Sequence, residues 1–225
     1  MALLLAATGI DKSYPRHDGP VEVLRGCDLQ LDEGEAVAVM GPSGSGKSTL
    51  LNIVGGLDWP DRGTVRHRDR VLDLADPRAM SVWRTAGVGF VFQFHFLLPD
   101  FTARENLLLP VQARRKVTGA DRDRADRLLE AMGLTPRAGH LPGELSGGEQ
   151  QRVAVARAFM NRPDIVLADE PFGNLDHAKG SQLGDLLFAL RRDEGTALVI
   201  VTHDPVLAAR ADRTLVLEAG RLRPA

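Results

Sequence analysis

One glycine-rich segment, Gly41-Pro42-Ser43-Gly44-Ser45-Gly46-Lys47-Ser48-Thr49, restricts what this chain can fold into more than any other stretch. It follows the apolar run Ala36-Val37-Ala38-Val39-Met40 and precedes Leu50-Leu51-Asn52-Ile53-Val54, which reads as a helix. Strand, loop and helix in that order are the context in which a G-x-x-x-x-G-K-S pattern builds a phosphate-binding loop. Gly41, Gly44 and Gly46 permit positive φ and close backbone approach, so successive amides and the helix start converge on negative charge. Residues 41 to 49 are therefore expected to hold the polyphosphate of a nucleotide such as ATP, with Lys47 reaching the β- and γ-phosphates and Ser48 ligating Mg²⁺. A Gly/Ser linker matching by accident is the alternative, and the flanking strand and helix argue against it.

The 225 residues, 44% hydrophobic and 26% charged, suffice for one large domain or a domain with an inserted lobe. With 28 Lys+Arg against 30 Asp+Glu the net charge is −2, which lacks the basic excess that holds proteins on nucleic acid. The lone cysteine, Cys27, excludes an internal disulfide and a cysteine metal cluster, fits a reducing compartment, and reads as a small buried residue. The opening Met1-Ala2-Leu3-Leu4-Leu5-Ala6-Ala7 lacks a basic flank and runs into Thr8, Asp11 and Lys12, so it reads as a first strand rather than a signal peptide. No other segment approaches the roughly 18 apolar residues of a membrane span. Any membrane role is thus expected to come through a separate partner.

Residues 3 to 10 and 21 to 31 read as strands around the turn-rich stretch 15 to 20, and Cys27-Asp28-Leu29-Gln30-Leu31 alternates as a half-exposed antiparallel strand does. The short apolar runs 36 to 40, 88 to 92, 165 to 168, 197 to 201 and 214 to 217 read instead as strands buried on both faces, predicting a mostly parallel central sheet. Helical spacing joins Leu183, Leu186, Leu187 and Leu190, and also Leu128, Leu129 and Met132 in the charged segment 121 to 132. Helical signals dominate from Phe101 to Asn161. The expected division is a core of residues 1–95 and 162–225 with a helical lobe at 96–161.

Ile165-Val166-Leu167-Ala168 ends in Asp169 and Glu170, at the strand edge where ligands sit in open α/β sheets. Asp169 can hold Mg²⁺ through water, and Glu170 can act as general base toward the attacking water. A solvated acidic strand end is the alternative. Gln93, after Val88-Gly89-Phe90-Val91-Phe92, can bind Mg²⁺ or water, although most such glutamines are merely exposed. His203, after the run 197 to 202, can contact the γ-phosphate, and it alone of six histidines is assigned a site role. Leu145-Ser146-Gly147-Gly148-Glu149-Gln150-Gln151-Arg152 opens a helix with Ser146 as N-cap, making a second set of amides suited to an anion. Two such helix starts with one carboxylate pair raise the idea that two chains share each nucleotide; an ordinary capped helix is the reading of the octet taken alone.

Taken together, the GPSGSGKST loop, Gln93, LSGGEQQR, VLADE, Asn174-Leu175-Asp176 and His203 occur in the order and spacing of an ABC transporter ATP-binding subunit, which the chain resembles over almost its whole length. The resemblance implies a P-loop α/β cassette with an antiparallel β edge and a helical lobe. It also implies a head-to-tail homodimer in which the loop of one copy and Ser146, Gly147, Gly148 and Gln150 of the other enclose ATP and Mg²⁺, with Asp176 at the dimer contact. Tyr14, the only tyrosine, matches the aromatic that stacks on adenine in that family, against the alternative of an ordinary strand-end aromatic. The stretch Gln93 to Thr102, with Gly55-Gly56-Leu57-Asp58 and Ala168-Asp169-Glu170-Pro171, is similar to the lipoprotein-releasing branch. The last two are shared with MacB-type exporters and FtsE-like cell-division ATPases. That likeness implies two separately encoded membrane subunits of the LolC/LolE kind, a peripheral position on the cytoplasmic face of the inner membrane, and a cargo that never touches this chain. Phe172 replaces a usual Thr and Gln150 a common Arg, departures that remove no catalytic group. Chromosome-organising ATPases share these motifs but need long coiled coils, and no sustained heptads occur; translation-associated ABC proteins carry two cassettes, and this chain has one P-loop.

The apolar residues Phe94, His95, Phe96, Leu97, Leu98 and Phe101 after Gln93 are expected either to pack inside the chain or to receive a coupling helix from the membrane partner, as this region does in the resembled family.

Overall fold

The computed structural model describes residues 2–17 and 19–225. Met1 in the opening apolar run and Asp18 in the turn-rich stretch lie outside the described residues. In chain order the elements are β1 (Leu3–Tyr14), β2 (Val21–Asp32), β3 (Ala36–Met40), α1 (Lys47–Val54), β4 (Arg62–His67), β5 (Arg70–Val71) and α2 (Pro77–Ala86). They continue with β6 (Val88–Phe92), α3 (Ala103–Gln112), α4 (Gly119–Ala131), α5 (Gly147–Ala158), β7 (Ile165–Asp169), α6 (His177–Glu194), β8 (Ala197–Val201), α7 (Pro205–Ala208), β9 (Arg213–Glu218) and β10 (Arg221–Pro224). The chain divides into two compact units, residues 1–84 with 197–225, and residues 85–196.

The first unit holds two sets of strands. β2, β1, β4 and β5 pair in that order in an antiparallel sheet, and the alternation of Cys27, Leu29 and Leu31 inward with Asp28 and Gln30 outward is the half-exposed pattern predicted for it. β3 pairs in parallel with β8 on one side and β9 on the other, while β10 returns antiparallel to β9. Ala36 to Val39 and Ala197 to Val201 are buried throughout, as strands covered on both faces must be. The thiol of Cys27 is buried, and burial pushes it up to about 11, so it packs as an apolar group.

In the second unit β6 and β7 pair in parallel, with Phe92 opposite Asp169. Gly89 lets α5 lie against β6: a Cβ there would stand 2.2 Å from the Ala158 carbonyl oxygen. Three α-helices, α3, α4 and α5, with two short 3-10 turns at Thr135–Arg137 and Pro142–Glu144, fill the segment from Phe101 to Asn161. α4 buries Asp121, Arg124, Ala125, Leu128 and Leu129, one stripe at helical spacing. The Arg124 guanidinium donates to the Phe159 (2.8 Å) and Met160 (3.0 Å) carbonyls past the end of α5 and forks onto Glu194, so its buried charge is fully partnered. Among the described residues no helix is long and apolar enough to cross a membrane.

Candidate nucleotide site

In the first unit the loop between β3 and α1 is drawn tight around glycines. A Cβ on Gly41 (φ 148°) would lie 2.3 Å from the Leu217 carbonyl oxygen, and one on Gly46 (φ 103°) 2.8 Å from Val23 Cγ1. Gly46 is also the N-cap of α1, makes no side-chain cap bond, and is followed by a first turn with no acidic residue. The amides at this helix start are thus committed to no side chain of their own, which suits a phosphate. The Lys47 ammonium is buried against the loop, donating to the carbonyls of Gly41 (2.9 Å) and Pro42 (2.8 Å), while Ser48 is exposed in the first turn. Ser43 and Gly44 are exposed; the buried Ser45 hydroxyl has no hydrogen-bond partner and faces Gly41.

His203 is exposed just past β8, the neighbour of β3, so it and the loop leave the same sheet edge; the Thr202 amide still donates to the Val39 carbonyl (3.2 Å). The next residue, Asp204, caps α7 by accepting from Val206 (2.8 Å) and Leu207 (3.4 Å). Tyr14 ends β1 and is 36% exposed, its hydroxyl donating to Asp58 Oδ2 at 2.6 Å. Burial lifts that hydroxyl's pKa, and the Asp58 hydrogen bond adds to the rise.

The second unit brings Gln93, Asp169 and Glu170 to one edge, because β6 and β7 run parallel in register and these residues stand at their ends. Gln93 Nε2 donates to Asn174 Oδ1 (3.2 Å), and Asn174 Nδ2 returns a bond to the Gln93 carbonyl (3.1 Å), leaving the Gln93 side-chain oxygen as an acceptor. Glu170 adopts φ 43°, a left-handed conformation that costs a non-glycine residue about 1–3 kcal/mol and that Arg68, Phe96, Arg162 and Ala219 also take.

Ser146 caps α5 in a reciprocal box: its hydroxyl accepts from the Glu149 amide (3.3 Å) while its own amide and hydroxyl donate to Glu149 Oε2 (2.8 Å each). Those bonds, with Arg137 donating to the other oxygen, hold the Glu149 carboxyl down to about 2 from 4.5. Gly147 and Gly148 have open space where a Cβ would stand, and a cavity of about 300 Å³ opens beside Ser146, Gly148, Arg152, Lys179 and Gln182. Gln150 turns the other way, its amide donating to the Pro142 (2.9 Å) and Leu145 (3.0 Å) carbonyls, where it braces the turn before the helix. Asp176 caps α6 through the Lys179 amide (2.9 Å).

Two supports escaped the sequence reading. The buried Gln151 amide donates to the Phe92 (2.9 Å) and Pro171 (2.6 Å) carbonyls, so the signature helix is tied to the chain on either side of Gln93 and Glu170. Its place in the octet was the available signal. Asp58 was read as part of the Gly55-Gly56-Leu57-Asp58 run, but nothing in it pointed to Tyr14, 44 residues away. The loop after Gln93 is braced from beneath, by Arg157 donating to the His95 and Phe96 carbonyls (2.8 Å each) and by Asn106 bonded to Leu98, Phe101 and Thr102. Phe94 and Phe96 stand 60% and 62% exposed above it, with Leu98 beside them. Internal packing therefore does not account for these three side chains.

The family model described as ABC transporter matches residues 24–173. Three curated relatives, each named lipoprotein-releasing system ATP-binding protein LolD, align almost from end to end. That of Pseudomonas syringae pv. tomato is 48% identical over 97% of this chain and 96% of the relative. That of Bordetella pertussis is 49% identical over 98% and 95%, and that of Bacteroides thetaiotaomicron 47% over 98% and 99%. Among solved structures, dimeric MJ0796, a bacterial ABC transporter cassette, matches with a TM-score of 0.89 at 39% identity over 98% of this chain and 97% of the other. The same cassette in a dimeric post-hydrolysis state bound to ADP and Pi matches at 0.88 and 38% over 98% of each. Matched in its motifs, in its family model and in its fold, the chain belongs to the ABC transporter family, of which it is an ATP-hydrolysing, ATP-binding subunit.

Proposed function

We propose that this cassette powers the release of lipoproteins from the inner membrane, acting as a head-to-tail dimer on the cytoplasmic face beneath two separately encoded membrane subunits of the LolC/LolE kind. The observation that carries the reading is the 47–49% identity to relatives named for lipoprotein release, spanning nearly all of each chain. The dimeric MJ0796 cassettes support the pairing. The exposed Phe94, Phe96 and Leu98 support a membrane partner at the loop that enters the helical lobe of residues 96–161.

Within the site, the α1 amides and Lys47 bind the β- and γ-phosphates, and residues 41 to 49 as a whole wrap the polyphosphate. Ser48, the Gln93 side-chain oxygen and Asp169, the last through water, are hard oxygen donors that fit Mg²⁺. Bound there, Mg²⁺ neutralises charge on the phosphate oxygens. Glu170 accepts the proton of the attacking water, and His203 donates to the γ-phosphate. Tyr14 stacks on adenine. Ser146, Gly147 and Gly148 present the α5 amides to the ATP held by the other copy, Gln150 fixing the turn that aims them, and Asp176 stands at the contact between copies.

The test is co-expression with LolC/LolE-like subunits, purification in detergent and reconstitution into vesicles carrying a lipoprotein. ATP-dependent release into solution is the expected result. Stable co-purification with MacB-like or FtsX-like membrane subunits, and none with the LolC/LolE kind, would move the cassette to another branch of the family.

A further inference from the structure

The base-stacking role given to Tyr14 needs a ring that does not swing, and the surroundings of that ring are unusually complete. Lys12 is buried to 6% exposure, and a buried ammonium requires compensation. It donates to Asp58 Oδ1 (2.9 Å) and to the Trp59 carbonyl (2.7 Å), and it lies over the Tyr14 ring, 5.0 Å from the centroid. The other carboxylate oxygen of Asp58 accepts the Tyr14 hydroxyl at 2.6 Å. One carboxylate thus grips the ring's hydroxyl and the cation on the ring's face. Burial alone would raise the Asp58 carboxyl, but the hydrogen bonds from Tyr14 and Lys12 and the Lys12 charge outweigh it, and it stays ionised below the ordinary range.

Asp58 follows the end of α1 and is pinned to it, its amide donating to the Asn52 carbonyl at 3.2 Å. The helix that starts at the phosphate cradle therefore ends at the group that holds the ring, and both ends of a nucleotide would be ranged against one rigid element.

We propose that Lys12 and Asp58 are positioning residues that lock the Tyr14 ring, one face against the Lys12 ammonium, as the platform for a nucleotide's purine base. The inference rests on the reading of Tyr14 as that platform. The cation draws on the π cloud of the ring face it covers, which fixes the ring's tilt as well as its hydroxyl.

Titration calorimetry of the full chain with ATP and with inorganic tripolyphosphate, both with Mg²⁺, tests it, because tripolyphosphate uses the phosphate loop and has no base. Asp58→Asn is expected to weaken ATP binding about tenfold, the scale of a lost hydrogen bond to a charged group, while tripolyphosphate binding moves less than about twofold. Tyr14→Phe keeps both the ring and the Lys12–Asp58 pair, so it folds even if Asp58→Asn does not, and it should lose a similar factor for ATP alone. The double variant should lose no more than Asp58→Asn alone, since the bond that Tyr14→Phe removes ends on the carboxylate already replaced. If Tyr14→Ala weakens ATP while Asp58→Asn and Tyr14→Phe do not, the platform stands and the lock is wrong. Should Tyr14→Ala leave ATP affinity unchanged, the platform reading falls and the lock with it. Equal losses for ATP and tripolyphosphate in Tyr14→Phe would place the effect in the phosphate loop and also overturn the proposal.

Discussion

Glu170 is held at φ 43°, and a residue kept in that conformation by its surroundings is placed rather than left to relax. Glu170→Gln preserves the shape and removes the base, so turnover should fall at least about a hundredfold with ATP affinity retained, and the variant should run as an ATP-bound dimer on gel filtration. Near-normal turnover would sink the role given to the carboxylate. Lys47→Ala acts on the other quantity. It removes the ammonium anchored on the Gly41 and Pro42 carbonyls, and ATP affinity in calorimetry should fall by ten- to a hundredfold. Gly89 makes a purely structural contrast: with 2.2 Å between a Cβ and the backbone oxygen of Ala158, Gly89→Ala should cost at least about 1–3 kcal/mol in urea unfolding.

Three helices of the second unit, α3, α4 and α5, share one device at their starts. Thr102 with Glu105, Thr118 with Asp121, and Ser146 with Glu149 each place a carboxylate three residues after a hydroxyl, and backbone or hydroxyl groups donate to it. Hydrogen bonds from Thr102 hold the Glu105 carboxyl low; those of Arg115 and then Thr118 do the same for Asp121, and those of Ser146 for Glu149. A carboxyl whose pKa falls on folding stabilises the native state above its unfolded value and loses that contribution as pH drops through the folded one. For Glu149 the window runs from 4.5 down to about 2. Stability should decline across it, and Glu149→Gln should flatten part of the decline; an unchanged slope by denaturant titration at pH 5, 4 and 3 would discount the cap as its source.

The Ser146 cap, like strands β3, β6, β7, β8 and β9, was read from the sequence because local spacing determines it; the boxes at Thr102 and Thr118 were not read. Runs such as Ala197 to Val201 have no polar residue to face solvent, so burial on both sides is their only use. β4 hid because Arg62-Gly63-Thr64-Val65-Arg66-His67 buries Val65 alone, and α2 because only Met80 and Trp83 turn inward. The phosphate loop, Gln93, Asp169, Glu170 and the signature were readable as motifs. The Tyr14 support was not, since Lys12, Asp58 and Tyr14 meet only after the chain has folded back on itself.

At the scale of the whole molecule, sharing each ATP between two copies predicts that Ser146→Arg abolishes turnover yet leaves nucleotide binding to the isolated monomer nearly intact, because an unpaired cation would be buried at the contact between copies. If the monomer's own affinity collapses, the signature serves ATP in its own chain. Phe94→Ser and Leu98→Ser, at exposed positions, should leave the melting temperature within a degree or two while reducing recovery of the membrane subunits in co-purification. A fall in melting temperature in both would make the loop part of the interior. The two tryptophans, meanwhile, live in opposite worlds. Trp83 is 5% exposed, its indole bonded to the Val54 carbonyl at 3.0 Å, whereas Trp59 is 61% exposed and shares the Lys12 ammonium with Tyr14. Their emission should separate into a blue component from the interior and a red one from the surface, and if the base stacks on Tyr14 as proposed, only the red one should be quenched when it seats. On that reading the protein carries its own dye, which would report in real time and without labelling whether a nucleotide has seated its base or only its phosphates.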